Sequence, residues 1–158
     1  EENDAEFIVK LRSKRGEFLS KSSVDVEEQI KWIKKYKERE VKKLEYYFVI
    51  ESKNGDSRFG VVRIYDIKED SFCWGSWIIK DGSPFSSSIE SALLVYDFCF
   101  FELKFKKTEF DVRRSNEKIV AFHKRFGAKI ISEDDINYYF NFTKESYIEV
   151  RKKYKKFI

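Results

Sequence analysis

The stretch from Phe72 to Gly127 constrains the fold more than any other part of the chain. FCWGSWIIK (72–80) is dense in aromatic and β-branched residues, which predicts a buried strand. IESALLVYDFCFFELKF (89–105) is apolar apart from one narrow wet stripe that includes Asp97, and predicts a long, mostly buried helix. KTEFDVRRS (107–115) predicts a second strand. NEKIVAFHKRFG (116–127) predicts a second helix with Gly127 at its end and with one inner face formed by Ile119, Phe122 and Phe126. Together these elements predict a right-handed parallel βαβ unit.

The segment between the first strand and the long helix is the most distinctive loop in the sequence. DGSPFSSS (81–88) contains the only proline of the chain and four serines. In a parallel βαβ unit, ligands bind at the carboxyl end of the first strand, where the loop leads into the amino terminus of the helix. The sequence therefore predicts a ligand here, although Ser87 and Glu90 also fit a plain capping box.

Composition narrows the class of protein. A chain of 158 residues predicts one domain that buries about 70% of its unfolded surface and folds without a metal or a disulfide. Cys73 and Cys99 lie inside apolar segments, which predicts buried, reduced thiols in a cytoplasmic protein. With one histidine, His123, and no metal-ligand spacing, no metal site is predicted. No apolar run reaches the ~20 residues of a membrane span, so no membrane partner is predicted.

The charge balance is mild. The net charge is +4, from 32 basic and 28 acidic residues whose signs are mixed along the chain. This pattern is typical of a solvated surface. It does not require nucleic acid or any other polyanion as a partner.

The remaining segments complete the predicted order. Residues 4–15, with Phe7, Ile8 and Leu11 at helical spacing, predict a helix capped by Asp4. GEFLSKSS (16–23) predicts a loop, and a second helix follows a cap at Asp25. Asn54-Gly55 predicts a hairpin between strands 46–53 and 57–67. After Gly127, the sequence predicts a hairpin of strands 128–132 and 136–143 and then an amphipathic helix. The order α-α-β-β-β-α-β-α-β-β-α predicts an α+β domain with a mixed sheet flanked by helices.

That order, with the residues of 72–127, resembles the GNAT superfamily of acyl-CoA-dependent N-acyltransferases. It is most similar to the branch of ribosomal-protein acetyltransferases and acetyltransferases of nucleotide-linked amino sugars. LRSKR followed by DVEEQIKWI looks like the first two helices, WGSWII the fourth strand, ESALLVYDFCF the central helix and NEKIVAFHKRFGAK the final helix pattern. The resemblance covers a single domain over residues 1–158, with the first strand of the family absent or preceding residue 1.

The resemblance implies acetyl-CoA as a co-substrate, bound in the splay between strands 72–80 and 107–113. It implies that the backbone of Ile78, Ile79 and Lys80 pairs with the pantetheine arm and that Asn116 hydrogen-bonds the same arm, although Asn116 also suits an N-cap. The pyrophosphate loop departs from the family, because it has no glycine between Pro84 and Ile89. Three serines offer hydrogen-bond donors in its place: Ser86, Ser87 and Ser88.

The resemblance also implies catalytic roles. His123 aligns with the family tyrosine that protonates the leaving thiolate, while the alternative is a structural histidine. Asp66 and Glu69 precede strand 72–80, where the family places a base, while the alternative is a solvated turn. Trp74 and Trp77 are three positions apart, which predicts opposite faces of the sheet, one in the core and the other at the acceptor pocket.

The sequence therefore predicts an N-acetyltransferase that acts on a primary amine of a small molecule, such as a nucleotide-linked amino sugar. One alternative is a protein N-terminal acetyltransferase. Another is a non-catalytic binding module for nucleic acid, suggested by RKKYKKF (151–157) and by the aromatic residues of strand 136–143: Tyr138, Tyr139, Phe140 and Phe142. A homodimer is left open.

Overall fold

A computed structural model describes residues 1, 4–15 and 26–158 of the chain. The predicted loop at 16–23 and the predicted helix cap Asp25 lie outside the described residues. No described helix is long and apolar enough to cross a membrane.

The predicted order of elements is confirmed. The helices are α1 (Ala5–Arg15), α2 (Val26–Val41), α3 (Ser87–Asp97), α4 (Glu117–Phe126) and α5 (Lys144–Arg151), and the strands are β1 (Tyr46–Glu51), β2 (Arg58–Tyr65), β3 (Ser71–Ile79), β4 (Lys107–Arg113), β5 (Lys129–Glu133) and β6 (Asn137–Thr143). The strands form one sheet in the order β1-β2-β3-β4-β6-β5. Because β3 and β4 are parallel whereas the β1–β2, β4–β6 and β5–β6 pairs are antiparallel, the predicted mixed sheet is confirmed.

The chain divides into two compact units, which are described separately. Unit 1 comprises Glu1–Asp66 and Ser76–Ser83, and unit 2 comprises Ile67–Gly75 and Pro84–Ile158. Strand β3 therefore contributes its first half to unit 2 and its second half to unit 1.

The core of unit 1 joins α1 and α2 to the sheet. Ile8 and Leu11 on α1 and Ile33 on α2 pack with Val61 of β2 and Ile78 of β3. Two of the apolar residues that predicted α1 therefore face the core. Strand β2 approaches β3 closely at Gly60, where an added Cβ would lie 2.1 Å from the carbonyl oxygen of Ile78. A side chain at this position would force the two strands apart.

The core of unit 2 is aromatic and centres on Tyr96 of α3, which is fully buried. The rings in contact with it lie on strands and helices throughout the unit: Trp74, Phe100, Phe126, Phe142 and Tyr147. The predicted burial of Cys73 and Cys99 is confirmed, and neither forms a disulfide. Burial raises the pKa of the Cys99 thiol far above its usual value, so this thiol stays protonated.

The long helix predicted for 89–105 differs at both ends. It begins at Ser87, and its α-helical part ends at Asp97, where a π-helical segment (Phe98–Glu102) follows. Asp97 was predicted on a wet stripe, but its carboxylate accepts hydrogen bonds from Tyr147 (2.5 Å) and from Arg151 (2.8 Å). These bonds attach α5 to α3. Beyond Arg151 the chain continues as a 3₁₀ segment, Lys152–Phe157, rather than as the predicted α-helix.

Helix α4 ends as predicted but is rotated relative to its predicted inner face. Gly127 has φ 108° and closes the helix with its N–H bonded to the Lys124 carbonyl, which confirms the C-terminal glycine. The buried residues of this helix are Val120, His123 and Phe126. Ile119 and Phe122 were predicted to face inward and are only partly buried. The rotation places the single histidine of the chain in the core.

Candidate active site

The middle of β3 carries a backbone irregularity. Ser76 has φ 47°, in the left-handed region that a serine rarely adopts within a strand. Backbone conformations of this kind concentrate at functional sites, where they re-aim the chain. The irregularity lies between Trp74 and Trp77 and interrupts the alternation of side chains along the strand. The prediction that these two residues lie on opposite faces assumed a regular alternation, which does not hold here.

The parallel ladder between β3 and β4 is short. It joins Ser71 to Lys107 and Phe72 to Thr108, and the Thr108 hydroxyl donates to the Phe72 carbonyl at 2.8 Å. Strand β4 pairs with β6 along its whole length, from Lys107 to Arg113. The predicted splay between strands 72–80 and 107–113 stays a prediction.

The second half of β3 presents only part of the predicted cofactor-binding backbone. The Lys80 N–H donates to the Phe59 carbonyl at 2.6 Å, and the Ile78 carbonyl faces Gly60. Because backbone groups of successive strand residues point to alternate edges, Ile79 directs its N–H and C=O to the other edge. Of the three residues predicted to pair with pantetheine, only Ile79 therefore directs its backbone groups away from β2.

A cavity of about 670 Å³ lies in unit 1 at the carboxyl end of β3. Its lining consists of Phe7 of α1, residues 55–59 at the β1–β2 turn and the start of β2, and the segment Lys80–Ser83. Its size suits a small-molecule ligand. No residue of α3 or β4 lines it, so it lies on the β2 side of β3 and differs from the ligand position that the βαβ pattern predicts.

The serine-rich loop begins α3 differently from the predicted capping box. Ser86 occupies the N-cap position, and its hydroxyl donates to the Glu90 carboxylate at 3.2 Å. Ser87 is the first helical residue and is buried, so the predicted box between Ser87 and Glu90 is wrong. Ser86 and Ser88 stay partly exposed. Phe85, which the sequence reasoning did not single out, is 97% exposed in this loop.

His123 lies within the aromatic core of unit 2 and is 3% exposed. Its ring contacts those of Phe110 at 4.5 Å between centroids, Trp74 at 5.3 Å and Phe140 at 5.5 Å. Burial lowers the pKa of His123 to about 3, because the apolar surroundings disfavour the imidazolium. The ring is therefore neutral near pH 7, which favours the structural alternative. Its predicted role as proton donor stays a prediction.

The two tryptophans differ in burial. Trp74 is 2% exposed and packs edge-on against Tyr96 and Phe110, so it is the core residue of the predicted pair. Trp77 is partly exposed and stays the candidate for the acceptor pocket. Asn116 occupies the N-cap position of α4, but its side chain makes no capping hydrogen bond, and its role toward the cofactor stays a prediction.

The predicted bases lie in the turn before β3. Asp66 and Glu69 are both exposed. The turn is closed by the Lys68 N–H, which donates to the Ser71 carbonyl at 2.9 Å. This placement suits a solvated turn, and a role in proton transfer stays a prediction for both carboxylates.

Unit 1 contains a charged cluster that the sequence reasoning missed. Glu45 is 5% exposed, and its carboxylate accepts hydrogen bonds from Arg39 at 2.8 Å and Arg63 at 2.6 Å. Burial opposes ionisation of Glu45, but the two arginines outweigh it and hold its pKa below the usual value. The sequence did contain an indication of this cluster, because Glu45 and Arg63 are charged residues beside or within strands that are otherwise apolar.

Comparison with known proteins identifies the family. The family model for the acetyltransferase (GNAT) domain matches residues 1–129. The chain belongs to the GNAT acetyltransferase family. The fold and the acetyl-CoA-dependent acetyltransferase activity predicted from the sequence are thereby confirmed. No curated protein matches the sequence of this acetyltransferase.

Three solved structures are similar to the acetyltransferase in sequence and fold. It is 45% identical to the apo form of FdhC, a nucleotide-linked sugar GNAT, with a TM-score of 0.91 over 99% of this chain and 90% of that chain. PseH of Campylobacter jejuni, solved in complex with acetyl coenzyme A, is 21% identical, with a TM-score of 0.71 over 90% of this chain and 91% of that one. Spermidine N-acetyltransferase of Vibrio cholerae is 18% identical, with a TM-score of 0.74 over 94% of this chain and 92% of that one. The last two show the fold alone.

Metal chemistry has no candidate ligands in the part of the acetyltransferase that the structure describes. Within residues 1, 4–15 and 26–158, no group of three histidine, cysteine or acidic side chains converges on a common point.

Proposed function

We propose that the chain transfers the acetyl group of acetyl-CoA to a primary amine of a nucleotide-linked amino sugar. One observation carries this proposal: the 45% identity to a nucleotide-linked sugar GNAT, over nearly the whole of both chains. A cytoplasmic location and a homodimer accompany the proposal as predictions.

Each unit offers one proposed contact for acetyl-CoA: the backbone of Ile79 in unit 1 and the start of α3 in unit 2. The N–H and C=O of Ile79 would pair with the amides of the pantetheine arm, as one strand pairs with another. The amino terminus of α3, with the partly exposed Ser86 and Ser88, would accept the pyrophosphate. PseH, which shares the fold, was solved in complex with acetyl coenzyme A, which supports acetyl-CoA as the co-substrate.

The proposed reaction is a direct transfer within a ternary complex. The amine nitrogen attacks the thioester carbonyl carbon, and a tetrahedral intermediate forms whose oxyanion needs backbone N–H donors. The C–S bond then breaks, the nitrogen loses a proton and the CoA sulfur gains one. Both cysteines are buried, so the chain offers no exposed thiol for a covalent intermediate.

Proton transfer is assigned to exposed carboxylates. Asp66 and Glu69 stay the proposed acceptors of the amine proton, since both can exchange it with solvent. Trp77 is the proposed wall of the acceptor pocket. His123 stays the predicted proton donor to the thiolate, and the turnover of its variants tests that role.

The nucleic-acid alternative has less support than the sequence alone suggested. Phe140 and Phe142 are each 1% exposed and are unavailable for stacking on bases. Tyr154, in the basic carboxyl-terminal segment, stacks on Phe126 with 5.0 Å between ring centroids. Burial removes Phe140 and Phe142 from the aromatic residues on which that alternative depends, and the stacking on Phe126 occupies one face of Tyr154.

The proposal is tested by measuring CoA release with three classes of acceptor. These are nucleotide-linked amino sugars, spermidine and a peptide with a free amino terminus. We expect the highest kcat/KM with an amino sugar that carries a nucleotide. A higher kcat/KM for spermidine or the peptide would overturn the assignment of the acceptor, and absence of acetyl-CoA binding by calorimetry would overturn the activity itself.

A further inference from the structure

Phe85 is the most exposed large apolar side chain among the described residues. It is 97% exposed and lies in the loop 80–86 between β3 and α3. A single exposed apolar side chain needs no explanation by itself. Phe85 differs in its position, because a parallel βαβ unit binds its ligand at the loop that follows the first strand.

The backbone holds Phe85 inside a closed turn. The Ser87 N–H donates to the Pro84 carbonyl at 3.0 Å, so Pro84 and Ser87 are the ends of a four-residue turn. Ser86 has φ −77° and ψ −8°, close to the third position of a type I turn. The ring of Pro84 restricts its own φ, and Ser87 is 5% exposed and anchors the other end of the turn in the fold. A fixed backbone therefore presents the ring of Phe85 to solvent.

The turn leads directly into a regular helix. The Glu90 N–H donates to the Ser86 carbonyl at 2.9 Å within the first turn of α3, and the Ser91 hydroxyl donates to the Ser88 carbonyl at 3.1 Å. Phe85 therefore stands one residue before the N-cap of an ordered helix. A side chain on such a backbone loses little conformational entropy when a ligand covers it.

The fold leaves the apolar surface of Phe85 unused. Since 97% of the side chain is exposed, the ring packs against almost no other part of the chain. A ligand that covers the ring would gain this apolar burial. The loop also has no glycine between Pro84 and Ile89, so side chains as well as backbone meet a ligand that binds here.

Acetyl-CoA has a part that suits this ring. It carries an adenine base, which only one ribose separates from the diphosphate. The flat face of a base stacks on aromatic side chains, and one such contact changes affinity by about 5- to 100-fold. Phe85 immediately precedes Ser86 and lies close in sequence to Ser88, the two serines proposed to meet the pyrophosphate. The adenine is therefore the part of the co-substrate within reach of the ring.

We propose that Phe85 stacks on the adenine base of acetyl-CoA and positions the adenosine half of the co-substrate at the loop before α3. This inference rests on the proposed function, because it takes acetyl-CoA as the co-substrate and the start of α3 as the pyrophosphate contact. The adenine is remote from the reacting thioester. Loss of the ring should therefore weaken binding and leave the transfer step unchanged.

The test compares two ligands that differ in the adenosine half. CoA and 4′-phosphopantetheine, which ends at its one phosphate and lacks the phosphorylated adenosine, are titrated by calorimetry into the wild type and into Phe85→Ala. The substitution should weaken CoA binding by about 5- to 100-fold. The affinity for 4′-phosphopantetheine should stay within about twofold of wild type, because that ligand does not reach the ring.

Phe85→Trp keeps a stacking surface and adds a fluorescent reporter. Its affinity for CoA should stay within about threefold of wild type. The emission of the new indole should fall when CoA binds, because a stacked purine quenches it, and saturating 4′-phosphopantetheine should leave it unchanged. The wild type, which contains the other three tryptophans, provides the background to subtract.

Leu94→Ala is the matched control. Leu94 is another exposed apolar residue of unit 2, on α3 and 69% exposed. Its truncation removes apolar surface from the same helix and should leave the affinity for both ligands unchanged. Urea unfolding checks that each variant is folded, and Phe85→Ala should unfold at the same urea concentration as the wild type, because its ring makes few contacts.

The measurements separate failure of this inference from failure of the proposed function. Unchanged CoA affinity in folded Phe85→Ala would overturn the inference, and so would an equal loss for CoA and 4′-phosphopantetheine, which would mean that the ring acts on the loop. Absence of CoA binding to the wild type would overturn the acetyltransferase activity and the inference with it. A wild type that binds CoA but acetylates no amino sugar would overturn only the assigned acceptor, and the calorimetry would still decide the role of Phe85.

Discussion

Two buried titratable side chains, one in each unit, are held in opposite charge states. Glu45 in unit 1 is 5% exposed and stays ionised, because Arg39 and Arg63 hydrogen-bond its carboxylate. His123 in unit 2 is 3% exposed and stays neutral, because the rings around it offer no charge to stabilise an imidazolium. Burial is nearly the same in the two cases, so the neighbours decide the charge.

The difference between the neighbours of Glu45 and those of His123 indicates how each unit compensates for a buried titratable group. An ionised group in a protein interior is costly unless partners compensate for its lost hydration. Unit 1 retains such a group because two arginines hydrogen-bond it. Unit 2 packs its one histidine among aromatic rings. The comparison predicts that loss of either environment lowers the stability of the fold.

Removal of a central ring from unit 2 should give the largest effect. Tyr96→Ala would leave a cavity among the rings that surround it, and its cost should be about 4 kcal/mol of the free energy of unfolding. Urea unfolding measures this loss. Leu94→Ala on the same helix is the control, because Leu94 is 69% exposed and its loss should cost less than about 0.5 kcal/mol. Equal costs for the two variants would mean that Tyr96 is not the centre of the core.

Neutralisation of Glu45 should have the next largest effect. Glu45→Gln keeps the shape of the side chain but leaves Arg39 and Arg63 without a counter-charge, so unfolding should become easier by about 3 kcal/mol. Glu40→Gln is the control, since Glu40 forms an exposed i,i+3 pair with Lys37 whose loss should cost less than about 1 kcal/mol. If both substitutions cost the same, the Glu45 cluster contributes no more than a surface pair.

The pH dependence of stability should distinguish the two buried groups. The folded pKa of His123, about 3, lies below its unfolded value near 6.5, so the unfolded state binds the proton first as the pH falls. Stability present above pH 6.5 should therefore decrease as the pH falls toward 3, by about 2–3 kcal/mol between pH 6.5 and 4.5. Glu45, whose folded pKa is lowered, loses its contribution only below about pH 4.5.

His123→Phe provides the matched variant for this pH effect. Its free energy of unfolding should be almost constant between pH 6.5 and 4.5, because the titrating group is gone. A variant that loses stability as steeply as the wild type would show that another group is responsible and that His123 is not buried in its neutral form.

The elements were predictable because their patterns are local. The Asn54-Gly55 turn, the β-rich runs on either side of it and the glycine at 127 each determine a boundary through the backbone conformation of a few residues. The start of α3 was less predictable, since Ser86 and Ser87 are equally good caps in sequence. Only the burial of Ser87 in the folded chain separates them.

The candidate site was predictable only in part, because it depends on the rotation of elements and on pairing between distant residues. His123 matched a family position in sequence, but a rotation of α4 toward Val120 and Phe126 places its ring in the core. The Glu45 cluster joins Arg39 of α2 and Arg63 of β2 to one carboxylate, and no periodicity in the sequence indicates that these residues meet.

The smallest expected effect is that of His123→Phe on turnover. A general acid at this position would make the substitution cost about 10²–10⁴-fold in kcat. The ring is 3% exposed and neutral near pH 7, so it holds no proton that it can release readily to a thiolate. We therefore expect kcat at pH 7 within about threefold of wild type, with unchanged affinity for CoA.

His123→Tyr is the second variant, since it restores the residue that the family carries there and places a hydroxyl beyond the ring. A fall of 10²-fold or more in the Phe variant, with partial recovery in the Tyr variant, would show that His123 reaches the reacting sulfur. The contrast between the two buried groups would then be wrong, since His123 would supply a proton as well as pack the core.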